Sequence, residues 1–167
     1  MKTKRIAFSL IIGMLAFAAG AASVFAQHET ASGIEVEKNL DLIRRDLRAE
    51  KKKILAANVP LTADEATRFW PVYDEYAGEM SKHYDQFYAI IKDYAANQKT
   101  LTDDQANTMI KRWSEEQVAV AQTRHKYIPM IQKVIPGKKA ALFFQIDRRL
   151  YAAMDLQVAS EVPLVLQ

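Results

Sequence analysis

The chain contains no cysteine, and its 167 residues include only five glycines and five prolines. Without cysteine there is no disulfide framework, no cysteine nucleophile and no cysteine-based metal or haem-attachment motif. The scarcity of glycine leaves few turn signals, since two of the five, Gly13 and Gly20, lie within the first 26 residues. Beyond those residues no segment shows the alternating pattern of a strand. These absences predict an all-α protein.

Common enzyme motifs are missing as well. The chain has neither a glycine-rich phosphate loop nor a His-Glu-x-x-His zinc motif, and it lacks the Glu-x-x-His repeat of di-iron helical bundles. We therefore expect a protein that is not an enzyme, with no catalytic residues and no cofactor.

The N-terminus has the pattern of a secretory signal peptide. Its first residues carry three cations, Lys2, Lys4 and Arg5. An apolar run over residues 6–22 follows, and Val24-Phe25-Ala26 supplies a cleavage site. We expect cleavage after Ala26, with a cut near Ala21 as the fallback and an uncleaved anchor as the alternative. No cysteine follows the run, which excludes a bacterial lipid anchor.

Removal of residues 1–26 changes the charge balance. The whole chain has 23 Lys and Arg against 20 Asp and Glu, and the three excess cations all lie in the signal peptide. The mature chain is therefore neutral, and the pI of about 9.0 belongs to the precursor. This balance argues against nucleic acid as a partner. We also expect no stable membrane insertion after cleavage.

The hydrophobic pattern predicts four helices in a single domain over residues 34–159. Their expected ranges are residues 34–57, 63–96, 103–134 and 138–159. A flexible polar tail over residues 27–33 precedes them, and a C-terminal tail over residues 160–167 follows.

A short connection makes the second and third helices a long antiparallel hairpin. With the turn centred near residues 99–100, residues whose numbers sum to about 200 should lie at the same level. Phe87 is then opposite Trp113, and Pro71 is opposite Pro129. Prolines at the same level should bend the hairpin into a curved shape, unless the two kinks cancel.

Two similar five-residue segments, here called the capping phrases, stand at the starts of the two hairpin helices. They are Leu61-Thr62-Ala63-Asp64-Glu65 and Leu101-Thr102-Asp103-Asp104-Gln105. Each phrase predicts a capping box. The threonines Thr62 and Thr102 are the N-caps, and Glu65 and Gln105 reach back from the N3 position. Leu61 and Leu101 precede the caps, where they can contact the first helical turn.

The two phrases resemble the LTXXQ motif of the Spy/CpxP group of periplasmic proteins. The second copy fits at every fixed position, whereas the first carries Glu65 in place of Gln. The resemblance implies a small all-helical periplasmic protein, often a cradle-shaped dimer, without cofactor or catalysis. It indicates an ATP-independent chaperone that shields partly unfolded envelope proteins. The alternative is an envelope-stress regulatory or metal-responsive binding module.

The second helix carries eight of the 13 aromatic residues that follow the signal peptide. Most of its large apolar residues form one stripe, which we expect to pack against the third helix. The members of this stripe are Ala66, Phe69, Tyr73, Met80, Phe87, Ile91 and Tyr94. Trp70, Tyr84 and Tyr88 fall off the stripe, so they should face another helix, a partner subunit or a client.

The first helix carries a dense run of cations, Arg44, Arg45, Arg48, Lys51, Lys52 and Lys53. Arg44, Arg48 and Lys52 recur at a spacing of four beside the apolar Leu40 and Leu47. An ordinary solvated helix face is the default interpretation of this row. The functional hypothesis is a surface that attracts acidic, partly unfolded clients, with Trp70, Tyr84 and Tyr88 as further client-binding candidates.

Three histidines occur, His28, His83 and His125. Glu75, Glu79 and His83 recur at a spacing of four, and the expected hairpin register places His125 opposite Glu75. Surface ion pairs are the preferred interpretation of these four residues, and a metal site is the weaker alternative.

Overall fold

The computed structural model describes Lys38 and residues 50–165. Within this part of the chain all regular structure is helical. Residues 50–58 are the described stretch of α1, and three further helices follow: α2 (Ala63–Asn97), α3 (Asp103–Val134) and α4 (Gly137–Glu161). The predicted all-α architecture is confirmed, and the described helix ends lie within two residues of their predicted positions.

Several predictions fall outside the described residues. They concern the signal peptide, the tail over residues 27–33 and the first helix up to residue 49, apart from Lys38, which is helical and exposed. None of the helices searched in the described part of the chain has the length and hydropathy to cross a membrane.

The α2 and α3 helices form the predicted antiparallel hairpin. Near the turn, the rings of Phe87 and Trp113 meet edge to face, with centroids 4.8 Å apart. Further from the turn, Glu79 of α2 accepts hydrogen bonds from Lys126 Nζ at 2.7 Å and Tyr127 Oη at 2.9 Å. The pairing of Phe87 with Trp113 confirms the expected register at this level.

The α4 helix runs parallel to α2. From one end of the pair to the other, Phe69 contacts Phe143 with ring centroids 5.3 Å apart, and Tyr84 stacks on Tyr151 at 4.5 Å. Beyond α4, the backbone oxygen of Pro163 accepts a hydrogen bond from Tyr94 Oη at 2.9 Å. This contact places the C-terminal tail against α2 near the hairpin turn.

The predicted partner of the α2 stripe is only partly correct. Phe87 does contact α3, but the rings of Phe69 and Tyr73 both pack on Phe143 of α4. A helix with aromatic residues on several faces can be buried on more than one side. Periodicity alone could not assign each face of α2 to its partner.

The two halves of α3 differ in burial. Its buried residues are Thr123, Tyr127 and Ile131, so the described residues 103–122 contribute no buried side chain. The part of α2 that lies beside this half of α3, near the hairpin turn, does bury side chains, among them Ile90 and Ile91. The turn-side half of α3 therefore covers α2 while leaving its own outer face in solvent.

Both predicted capping boxes are present. The amide of Thr62 donates to Glu65 Oε2 at 2.7 Å, and the amide of Glu65 donates to Thr62 Oγ1 at 3.2 Å. In the second box the amide of Thr102 donates to Gln105 Oε1 at 2.9 Å, and the amide of Gln105 donates to Thr102 Oγ1 at 3.3 Å. Four amides at helix starts are thereby satisfied.

Glu65, which departs from the LTXXQ pattern, has an additional partner. Lys139 Nζ, in the first turn of α4, lies 2.5 Å from Glu65 Oε2. This hydrogen bond and the backbone bond from Thr62 lower the pKa of Glu65. A glutamine would complete the box but could not form this ion pair, so Glu65 also joins the start of α2 to α4.

We expect Thr62→Ala and Thr102→Ala each to lower the free energy of unfolding by about 1 kcal/mol, because each removes an N-cap acceptor. Urea denaturation followed by far-UV circular dichroism measures the loss. Thr67→Ala and Thr108→Ala are matched controls, since these exposed threonines bond backbone oxygens inside the first turns. Equal stability of cap variants and controls would show that the motif is not a stabilising cap.

Candidate functional site

A buried polar cluster joins the four helices. Asp147 of α4 is 0% exposed, and its carboxylate accepts a hydrogen bond from Tyr76 Oη of α2 at 2.6 Å. Lys51 Nζ of α1 lies 2.7 Å from Asp147 Oδ1, and Arg124 Nε of α3 lies 3.7 Å from Oδ2. We call these four residues the Asp147 cluster. Each helix contributes one member.

Burial governs the electrostatics of this cluster. It lowers the pKa of Lys51, an effect opposed by the carboxylate of Asp147. It also raises the pKa of the Tyr76 hydroxyl, with Asp147 adding to the shift. Lys51 Nζ lies 3.6 Å from the ring centroid of Tyr151, so an aromatic face lies against the cation as well. The arrangement suits a role in fixing the helices relative to one another.

Sequence reasoning missed both ends of the central ion pair. The sequence places Lys51 in a run of cations for which a solvated helix face is expected, but its side chain is buried. Asp147 occupies a position on the apolar face of α4, between Phe143 and Tyr151. A charged residue at a core-facing position is a recognisable signal, because buried charges in proteins are paired.

An open groove lies between α2, α3 and α4 toward the hairpin turn. It has a volume of about 380 Å³, and its walls include the rings of Tyr84, Phe87 and Trp113. Two carboxylates, Glu116 of α3 and Asp155 of α4, are part of the same lining. We call this feature the Trp113 groove. It combines apolar and aromatic walls with acidic groups, as many binding sites do.

The carboxylates of the groove are held by neighbouring polar groups. Glu116 Oε2 lies 3.1 Å from His83 Nδ1, and His83 Nε2 lies 3.1 Å from the hydroxyl of the buried Thr123. Burial raises the pKa of Asp155, while the Tyr84 hydroxyl and the charge of Arg124 act in the opposite direction. His83 thus orients one acidic wall of the groove.

Large apolar side chains are also exposed on α3. Ile110 is 62% exposed and Val118 is 52% exposed, and both belong to the half of α3 that buries no side chain. The two positions are eight apart, about two helical turns, so they lie on neighbouring parts of the helix surface. Together with the Trp113 groove they give this end of the hairpin accessible apolar surface.

The structure describes only part of the predicted client surface. Arg44, Arg48, Leu40 and Leu47 lie outside the described residues. Lys52 is described, but its Nζ lies 2.6 Å from Asp74 Oδ1 of α2 and 5.2 Å from the Trp70 ring centroid. The structure therefore brings Lys52 and Trp70 together, with the lysine paired to a carboxylate.

Tyr84 and Tyr88 are buried and do not form an exposed client surface, although the Tyr84 ring contributes to the wall of the Trp113 groove. They are 7% and 2% exposed, and Tyr84 stacks on Tyr151 of α4. The α4 helix thus covers Tyr84, and another helix is one of the three expected partners. Trp70 is half-buried, and it packs edge to face on Phe69 and Tyr73.

The four residues of the weaker metal-site hypothesis, Glu75, Glu79, His83 and His125, do not form one cluster in the structure. Glu79 bonds Lys126 and Tyr127, whereas His83 bonds Glu116 and Thr123. Among the described residues, no group of three or more His, Asp and Glu side chains could hold a metal ion.

No protein-family model matches the chain, and neither does any curated protein or any solved structure. The similarity to the Spy/CpxP group therefore rests on the two capping phrases and the helical pattern, and it stays a prediction.

Proposed function

We propose that the protein is a periplasmic, ATP-independent chaperone-like protein that binds partly unfolded envelope proteins. The observation that carries this proposal is accessible apolar surface at one end of a well-packed helical hairpin. The Trp113 groove provides a concave part of this surface, and Ile110 and Val118 provide an exposed part. Exposed apolar patches commonly mark sites of interaction with other proteins.

The rest of the hairpin supports this use of the surface. The Asp147 cluster and the aromatic contacts between α2 and α4 hold the helices together without burying any side chain from residues 103–122. Apolar groups on that half can therefore contact a client while the core stays packed. Weak contacts of this kind suit reversible binding of many sequences, and they need no nucleotide.

The proposal includes several features predicted from the sequence. They are export with cleavage after Ala26, a homodimer, and a bend in the hairpin at Pro71 and Pro129, both of which lie inside continuous helices. The basic row of Arg44, Arg48 and Lys52 with Leu40 and Leu47 remains part of the proposed client surface.

We expect the mature protein to suppress aggregation of an unrelated, chemically unfolded protein without ATP, measured by light scattering at near-equimolar amounts. Ile110→Ser with Val118→Ser should reduce the protection several-fold, because it removes exposed apolar side chains. Ala121→Ser with Gln132→Ser places two serines at exposed positions of the same helix that line neither the Trp113 groove nor the surface around Ile110 and Val118, and it should leave protection unchanged. Thermal unfolding checks that both variants fold.

Two results would contradict the proposal. One is the absence of protection by the parent protein over a range of client proteins. The other is tight binding to a single envelope protein with no protection of others, which is the behaviour of the regulatory alternative.

A further inference from the structure

We propose that the Trp113 groove recognises client segments in which a lysine or arginine lies next to apolar side chains. The inference rests on the proposed function, since the occupant is a segment of a client. It adds a charge preference that the exposed apolar residues of α3 do not supply.

The aromatic walls provide the first part of the argument. The Trp113 and Phe87 rings meet edge to face at 4.8 Å, and Phe87 contacts Tyr84 with centroids 6.3 Å apart. The three rings come from two helices and are held by mutual contact, so they line the groove before a ligand arrives. Aromatic faces bind both apolar side chains and cations.

The charges of the groove provide the second part. The lining contains two carboxylates, Glu116 and Asp155, and it contains neither lysine nor arginine. Arg124 influences Asp155, but its guanidinium also lies beside Asp147 in the buried cluster. Glu116 is also bonded by His83, and Asp155 by the Tyr84 hydroxyl, but each carboxylate can accept further hydrogen bonds. A cationic side chain in the groove would meet carboxylates and aromatic rings together, which is the combination that favours an organic cation.

The size of the groove indicates the kind of occupant. A volume of about 380 Å³ lies within the range of about 300–1,000 Å³ typical of ligand pockets. It accommodates a few side chains of an extended segment, and it is too small for a folded element. Valines of α3 and α4, Val120 and Val158, provide apolar contact for residues beside the cation.

Fluorescence of Trp113 tests the proposal directly. The chain has two tryptophans, so Trp70→Phe leaves Trp113 as the only one. In this background we would titrate three short peptides of the same apolar sequence that differ at one central residue, lysine, glutamine or glutamate. The lysine peptide should change Trp113 emission and bind at least tenfold more tightly than the glutamate peptide, with the glutamine peptide between them.

Replacing the two carboxylates should remove this preference. With Glu116→Gln and Asp155→Asn, the dissociation constants of the three peptides should converge to within about twofold. Glu115→Gln is the control for the Glu116→Gln part of this change, because it removes one negative charge at the preceding residue, outside the groove lining. The control should keep the preference for lysine. Far-UV circular dichroism and thermal unfolding show whether each variant keeps the parent fold.

The outcomes separate this inference from the proposed function. Equal affinity for the lysine and glutamate peptides, or binding without a change in Trp113 emission, overturns the groove proposal. If protection from aggregation persists in that case, the chaperone function stands. The opposite result is a parent protein that gives no protection from aggregation but binds the peptides with the preference for lysine. It would contradict the chaperone function and support the groove as a site for cationic segments.

Discussion

Asp147→Asn is expected to lower the free energy of unfolding by about 3–5 kcal/mol, the usual cost of breaking a buried ion pair from one side. The carboxylate of Asp147 is fully buried and faces Lys51 at 2.7 Å, Tyr76 at 2.6 Å and Arg124 at 3.7 Å. Asparagine keeps the shape of the side chain but removes the negative charge. The ammonium of Lys51 then remains buried without its counter-charge. Chemical denaturation measures the loss.

The loss of stability in Asp147→Asn should be large because the ion pair is buried, and breaking an exposed ion pair should cost much less. Asp74→Asn breaks the half-exposed pair with Lys52, and it should cost no more than about 1 kcal/mol. Replacing both members of the closest pair, with Lys51→Met and Asp147→Leu, should recover part of the stability lost in Asp147→Asn, because the buried ammonium is gone. Recovery should be incomplete, because Arg124 and the Tyr76 hydroxyl still lose their carboxylate partner. Equal losses from Asp147→Asn and Asp74→Asn would contradict the buried position of the cluster.

Phe143→Ala is expected to lower the free energy of unfolding by about 3–5 kcal/mol. Phe143 is fully buried, and its ring contacts Phe69 of α2 at 5.3 Å, Tyr76 at 5.9 Å and Phe144 at 4.7 Å. Alanine would leave a cavity at the junction between α2 and α4. The rings around it are fixed by further contacts, so they cannot close the space fully.

The same denaturation experiment supplies the comparison for Phe143. Leu156→Ala removes a large apolar side chain from the same helix, but Leu156 is 74% exposed. Its loss should change stability by no more than about 0.5 kcal/mol. A small effect of Phe143→Ala, similar to that of Leu156→Ala, would show that α4 does not pack on α2 through this ring.

The sequence predicted the helices well because their ends depend on local chemistry. Thr62 and Thr102 cap α2 and α3 through residues three positions further along, and Pro136 stands at the start of α4. The short connection between α2 and α3 also fixed their antiparallel pairing and the contact of Phe87 with Trp113. None of these features requires information from distant parts of the chain.

The candidate site was less predictable, as three consecutive lysines illustrate. Lys51 is buried against Asp147, Lys52 pairs with Asp74, and Lys53 pairs with Glu50 on the surface. Successive residues of a helix point about 100° apart, so their environments depend on which face of α1 meets α2 and α4. The cation run appears uniform in the sequence, and only packing distinguishes its members.

The amino-acid sequence by itself determined the helical class, the described helix ends and the hairpin, because capping, turn chemistry and periodicity act over a few residues. The tertiary structure alone decided the parallel packing of α4 on α2, the burial of Tyr84 and Tyr88, and the Asp147 cluster. It also decided the Trp113 groove, whose walls come from three helices far apart in the chain. Side chains so distant in sequence become neighbours only when particular faces of the helices pack together, and which faces do so depends on the packing of the whole core.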